Sequence, residues 1–130
     1  MGIFNKIFGT SETSTEEKKV IPWNQLNSVE QLNEVIEESK SVPVAIFKHS
    51  TRCGISRMVI KQFENNYNID ADKLKLYYLD LLNYREVSNE VGYKFQVMHQ
   101  SPQLIIIKNK AVVAHASHYE INSINLEQFT

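Results

Sequence analysis

The sequence holds one cysteine, Cys53, in the run Phe47-Lys48-His49-Ser50-Thr51-Arg52-Cys53-Gly54-Ile55-Ser56. Only the thiolate attacks a disulfide, and a free cysteine with a pKa of ~8.5 is mostly protonated at neutral pH. Three features of the run favour the anion. Ile55, Met58, Val59, Gln62 and Phe63 recur at helical spacing, so a helix begins close to Cys53 and runs to about Tyr67. Its N-terminus carries roughly half a positive charge and unpaired N–H donors. Arg52 sets a permanent cation beside the sulfur. Ser56, one helical turn on, is placed to donate its hydroxyl to it. The chemistry this pattern suits is thiol-disulfide exchange. With no second cysteine in the chain, no intrachain disulfide can form and only an external thiol can complete a cycle.

A lone cysteine is otherwise a small core hydrophobe. The polar neighbours Ser50, Thr51 and Arg52 at a strand-to-helix junction argue instead for an exposed thiol. A second feature is Ser101-Pro102-Gln103, where a proline opens an apolar strand after a loop, a plausible cis site. His115 and His118 have metal-like spacing, but a strand does not set residues three apart on one face, so they read as solvated or capping side chains and no metal site is expected. His49 lies four residues before Cys53 and His99 precedes the proline loop. Neither is assigned as a base.

These residues need elements to position them. Ser28 and Gln31 have the form of a capping box ahead of Leu32, Val35 and Ile36, predicting a helix that ends near Ser39. Val42 to Phe47 reads as a buried strand with Pro43 at its start. The Cys53 helix follows, then a Leu- and Tyr-rich strand over Leu74 to Leu81. Asn83 with Glu86 suggests the cap of a third helix that Gly92 is placed to stop. Leu104 to Lys108 and Ala111 to Ala116 form a hairpin around Asn109-Lys110, and Asn122 starts a last short helix through Phe129. A short strand around Trp23 to Leu26 precedes them. Right-handed crossovers make the first strands parallel in the middle of one sheet, and the hairpin adds antiparallel strands at one edge. The order resembles a thioredoxin-like α/β three-layer sandwich, a mixed sheet flanked by helices.

Composition agrees. At 130 residues, 42% hydrophobic and 22% charged, the chain suits one folded soluble domain rather than a disordered or coiled-coil one. Fourteen basic residues against 15 acidic leave a net charge of -1, so nothing draws it to a phosphate backbone and no nucleic-acid partner is expected. The longest apolar runs fall far short of the ~20 residues of a bilayer span, so no membrane partner is expected either. Gly9 to Lys19 is polar and reads as a tether, giving a flexible leader over residues 1–19 and a thioredoxin-like domain over 20–130. Ile3, Phe4, Ile7 and Phe8 lie at helical spacing in that leader but do not make a signal peptide, and the cytoplasm is the default location.

Cys53-Gly54-Ile55-Ser56 resembles the Cys-x-x-Ser variant of the thioredoxin active site, and Ser101-Pro102 matches the cis-proline loop that faces it. More narrowly, Phe47 to Ser56, the spacing to His99-Gln100-Ser101-Pro102-Gln103 and the close in His115-Ala116-Ser117-His118-Tyr119 resemble the monothiol bacilliredoxins over about Val20 to Phe129. Gly54 departs from the proline common after the cysteine in related proteins. The resemblance implies exchange on mixed disulfides between bacillithiol and client proteins, with bacillithiol as co-substrate, no bound cofactor and a monomeric chain. Cys53, Ser56 and Arg52 would be catalytic. Ser101, through its backbone, and Pro102 would align the thiol, while Thr51, Gly54 and Gln103 line its groove. The segment Arg52 to Ser56 is also similar to the Cys-Gly-Phe-Ser signature of monothiol glutaredoxins, which hold an iron-sulfur cluster between two subunits. The Gly-Gly-x-Asp segment of those proteins is missing from Ala114 to Tyr119. A thioredoxin-like binding module with an inert, buried Cys53 is the third possibility.

Overall fold

The computed structural model describes residues 19–130. The leader expected over residues 1–19 lies outside them, Lys19 excepted. The elements are β1 (Trp23–Gln25), α1 (Val29–Glu38), β2 (Val44–His49), α2 (Gly54–Asn66), β3 (Lys75–Asp80), α3 (Arg85–Phe95), β4 (Gln103–Lys108) and β5 (Ala111–Ser117). Two 3₁₀ turns, His118–Ser123 and Leu126–Phe129, follow. The strands form one sheet in the order β1-β3-β2-β4-β5. β1 and β2 run parallel to β3, whereas β4 runs antiparallel to both β2 and β5.

β2 is buried along its whole length, which is why its sequence is a continuous apolar run and not an alternating one. Its residues still alternate between faces. Val44 and Ile46 join the layer under α1 and α3 with Leu32, Val35, Val87 and Val91. Ala45 and Phe47 join the layer under α2 with Val59, Phe63, Leu104 and Ile121. Continuing that alternation, Lys48 turns toward the α1 and α3 layer and His49 toward α2.

α1 begins as the capping box predicts. Ser28 Oγ accepts the Gln31 N–H at 3.0 Å, while Gln31 Oε1 accepts the N–H of Asn27 at 2.8 Å, one residue ahead of the reciprocal position. The hairpin turns through Asn109 (φ 54°) and Lys110 (φ 71°), both left-handed, the geometry that matches strand twist in a two-residue turn. It is tied to the end of α1, where Ser39 O accepts the Asn109 N–H at 2.7 Å and Ser39 Oγ accepts the Lys110 N–H at 2.8 Å.

Three expectations are corrected. Asn83 is not the cap of α3. Tyr84 is, and Asn83 Nδ2 bonds the Asp80 carboxylate at 2.8 Å, a charged acceptor three residues back that outcompetes a capping role. Gly92 does not stop α3, which runs on to Phe95 and closes at Gln96 in the left-handed conformation. What glycine permits at 92 is closeness: a Cβ there would lie 3.2 Å from Val97 O, and Gly92 O accepts the Val97 N–H at 3.2 Å. The last helix is two short 3₁₀ turns, the second capped by Asn125, whose Oδ1 accepts the Glu127 N–H at 3.2 Å. Among the described residues no helix is long and apolar enough to cross a membrane.

Candidate active site

Cys53 is the N-cap of α2, with φ -105° and ψ 123°, extended backbone from which the helix departs. Its N–H bonds Ser50 O at 3.2 Å and its carbonyl takes the Arg57 N–H at 3.0 Å, closing the first turn. Cys53 is partly exposed and not buried as the inert-module reading requires. Thr51, Arg52 and Gly54 around it are exposed, and no acidic residue sits in the first turn to neutralise the helix end. Arg57 Nη1 donates to Thr51 O at 3.2 Å and braces the loop. Nothing at residue 54 requires glycine: a Cβ there would meet only the tip of Arg57, at 3.9 Å.

Ser56 departs from its expected contact. Its side chain is fully buried, and its Oγ lies 2.8 Å from His49 Nδ1 and accepts the Ser50 N–H at 3.1 Å. Among the described residues, its hydrogen bonds go to these partners and not to the sulfur. Cys53 lies at the edge of the helix end, whereas the residue one turn on faces the sheet, where His49 supplies a buried polar group that needs a partner. Ser56 thus fastens the Cys53 loop to β2. His49 is buried beneath the helix and its ring is tilted against Tyr78, with centroids 5.6 Å apart. Burial pushes its pKa below the usual histidine value, against the opposing pull of Asp80 and Glu64 and with a smaller push from Arg57.

The Ser101–Pro102 peptide is cis. The β2–β4 register sets Lys48 against Gln103 and Phe47 against Leu104, so the proline loop reaches the same end of the sheet at which β2 hands over to Cys53. The Pro102 carbonyl is taken by the His118 N–H at 3.0 Å. Gln103, expected to line a groove, is almost wholly buried and mainly braces the loop, its Nε2 donating to Met98 O at 3.0 Å. One side of it still forms part of an open groove of about 520 Å³ with Met98, Gln100, His115, His118 and Tyr119. Among the described residues there is no group of three His, Cys, Asp or Glu side chains able to hold a metal.

Lys48, to which the sequence assigns no role, meets His99, not assigned as a base. Lys48 is 0% exposed, and burial lowers its ammonium pKa from 10.5 to about 8. Its Nζ lies 3.3 Å from Nδ1 of His99, an exposed residue of the proline loop. A signal existed in the alternation of β2, since a lysine inside a buried apolar run must find a polar partner, but the sequence did not say which.

Comparison with known proteins agrees with this geometry. A solved structure described as an oxidoreductase with a thioredoxin fold is 34% identical, covering 82% of this chain and 92% of its own at a TM-score of 0.70. Thioredoxin f from spinach chloroplast (17% identical, covering 88% and 96%, TM-score 0.64) shares the fold. So does thioredoxin O2 from Arabidopsis thaliana (18% identical, covering 84% and 96%, TM-score 0.65). The family model for monothiol bacilliredoxin BrxC matches residues 24–126. A thioredoxin fold with one partly exposed cysteine at a helix N-cap and a cis-proline loop at the same end of the sheet, matched by that model over residues 24–126, makes this chain a member of the monothiol bacilliredoxin BrxC family.

Proposed function

We propose that this chain removes bacillithiol from mixed disulfides with client proteins by thiol-disulfide exchange at Cys53. The observation that carries the reading is the partly exposed Cys53 at the N-cap of α2, in a chain with no other cysteine. The Cys53 thiolate attacks the bacillithiol sulfur, and a Cys53–bacillithiol disulfide forms as the client disulfide breaks. The client sulfur leaves with the bonding electron pair and takes a proton from water. A second small thiol then attacks the mixed disulfide and returns Cys53 to the thiolate. Each step exchanges one S–S bond for another, so no external oxidant is consumed and no bound cofactor is needed.

In this reading the helix end and Arg52 stabilise the attacking anion. The Ser101 backbone and Pro102 align the incoming sulfur chain, and Thr51, Gly54 and the edge of Gln103 that reaches the groove bound it. Ser56 contributes by holding the Cys53 loop and His49 in register. The proposed site of action is the cytoplasm. The test is to incubate the reduced protein with a bacillithiolated client and follow both masses. The expected result is loss of bacillithiol from the client with the matching gain on Cys53, and no transfer by Cys53→Ser. A wild-type protein that leaves the client modified overturns the reading.

A further inference from the structure

An ammonium carries three donors and no acceptor. Lys48 Nζ, buried at the end of β2, therefore makes its 3.3 Å contact with His99 Nδ1 only if that nitrogen is the acceptor, which leaves the ring proton on Nε2. The surroundings favour the neutral ring. Besides burial, the charges acting on His99 are both cations, Lys48 from β2 and Arg85 from the first turn of α3. From β4 the facing group is Gln103, a neutral amide whose Nε2 is committed to Met98 O and whose buried Oε1 has no partner among the described residues. From β3 the residue opposite Lys48 is Leu79. Among the described residues no carboxylate pairs with Lys48, and a buried lysine is costly where an apolar side chain of similar length would fit.

His99 lies three residues before Pro102, on the loop that the β2–β4 register carries to the Cys53 end of the sheet. Its side chain is exposed and its Nδ1 is tied inward, so Nε2–H is the group it offers to solvent. We infer that His99 is the subsite for a carboxylate of the small thiol exchanged at Cys53, and that Lys48, through its contact with Nδ1, is the positioning residue that holds the ring with its Nε2–H donor outward. The inference rests on the exchange reading above and adds to it the group that selects for an anionic thiol. His99 acts here as a hydrogen-bond donor, and no proton moves through it during exchange.

The test uses the full chain and two symmetric disulfides that differ in charge, 3,3′-dithiodipropionate and bis(2-hydroxyethyl) disulfide. The readout is the ratio of their rate constants for forming a mixed disulfide on Cys53, followed by mass. A hydrogen bond to a charged oxygen implies that His99→Ala lowers the ratio about tenfold. Lys48→Met is expected to lower it too, and His99→Gln, which keeps an N–H donor, to recover part of it. Independently of activity, long-range ¹⁵N correlation spectra of the wild type should show the His99 proton on Nε2, and Lys48→Met should release the ring into a tautomer mixture. A ratio unchanged in His99→Ala, or a proton on Nδ1 in the wild type, overturns the subsite and leaves the exchange reading standing. A wild type that reacts with neither disulfide overturns the exchange reading, and the subsite falls with it.

Discussion

At the scale of single residues, the sulfur is served less directly than its neighbours suggest. Ser56, one turn from Cys53, spends its hydroxyl on His49 and on the Ser50 N–H. Ser56→Ala leaves both buried groups without a partner, so it should destabilise the fold by about 1–3 kcal/mol, measured as a lower urea midpoint, and slow exchange through a looser Cys53 loop. Lys48 has the opposite balance. Its pKa falls from 10.5 in the open chain to about 8 in the fold, so between these values the unfolded chain binds more protons and stability rises with pH. The penalty is present in full below pH 8 and, at ~1.4 kcal/mol per pH unit of that window, amounts to about 3 kcal/mol. Lys48→Met is therefore expected to be more stable than the wild type at pH 7 by up to that amount, with the gap closing as the pH approaches 10.5. Urea unfolding at the two pH values checks it, and a stabler variant that has lost selectivity among thiols would place this lysine where function opposes stability.

At the scale of elements, the start of α2 is where local geometry leaves room for change. Cys53 is extended, the conformation required of a residue before proline, and Gly54 is the first helical residue, where a missing N–H costs nothing. Gly54→Pro should raise stability by about 0.5–1 kcal/mol by restricting the unfolded chain, read as an increased urea midpoint. The hairpin offers a second test. Lys110 holds a positive φ of 71° that glycine adopts without strain, and its ion pair with Glu37, at 3.2 Å, is largely exposed and worth little. Lys110→Gly should stabilise the turn by up to about 1 kcal/mol in the same measurement.

At the scale of the whole molecule, β2 separates two apolar layers and ends in one polar side chain directed at each, Lys48 on the α1 and α3 side and His49 on the α2 side. Buried neutral His49 must be protonated for the chain to reach its acid form. Its stabilising share is complete above the ordinary histidine pKa of ~6.5 and is lost as the pH falls from there through the lowered value in the fold. The urea midpoint should drop between pH 7 and pH 5, and His49→Gln should remove part of that slope. A cluster carrier of the glutaredoxin kind would need a second subunit to complete its iron ligands. The exchange reading expects a colourless monomer after anaerobic incubation with iron, sulfide and a small thiol, checked by absorbance and by size-exclusion chromatography.

The sequence by itself determined the order and type of the elements from β1 to β5, because β2 is too apolar to be anything but interior and α2 carries its stripe at an unambiguous period, whereas the closing helix it suggested is two short 3₁₀ turns. It also bounded the chemistry open to the thiol, since a chain with a single cysteine can exchange disulfides only with an outside thiol, and it marked Ser101-Pro102 as a cis site, which the structure bears out. Helix ends were less legible. Asn83 and Gly92 have the right types for a cap and a stop, but Asp80 captured one and the close approach of Val97 explained the other, and neither partner is visible from local spacing. Which polar groups meet was decided only by the tertiary structure. Ser56 and His49 are seven residues apart, and Lys48 and His99 are 51 apart. Strand pairing and burial bring each pair together, and burial is what turns their proximity into an obligation to hydrogen-bond.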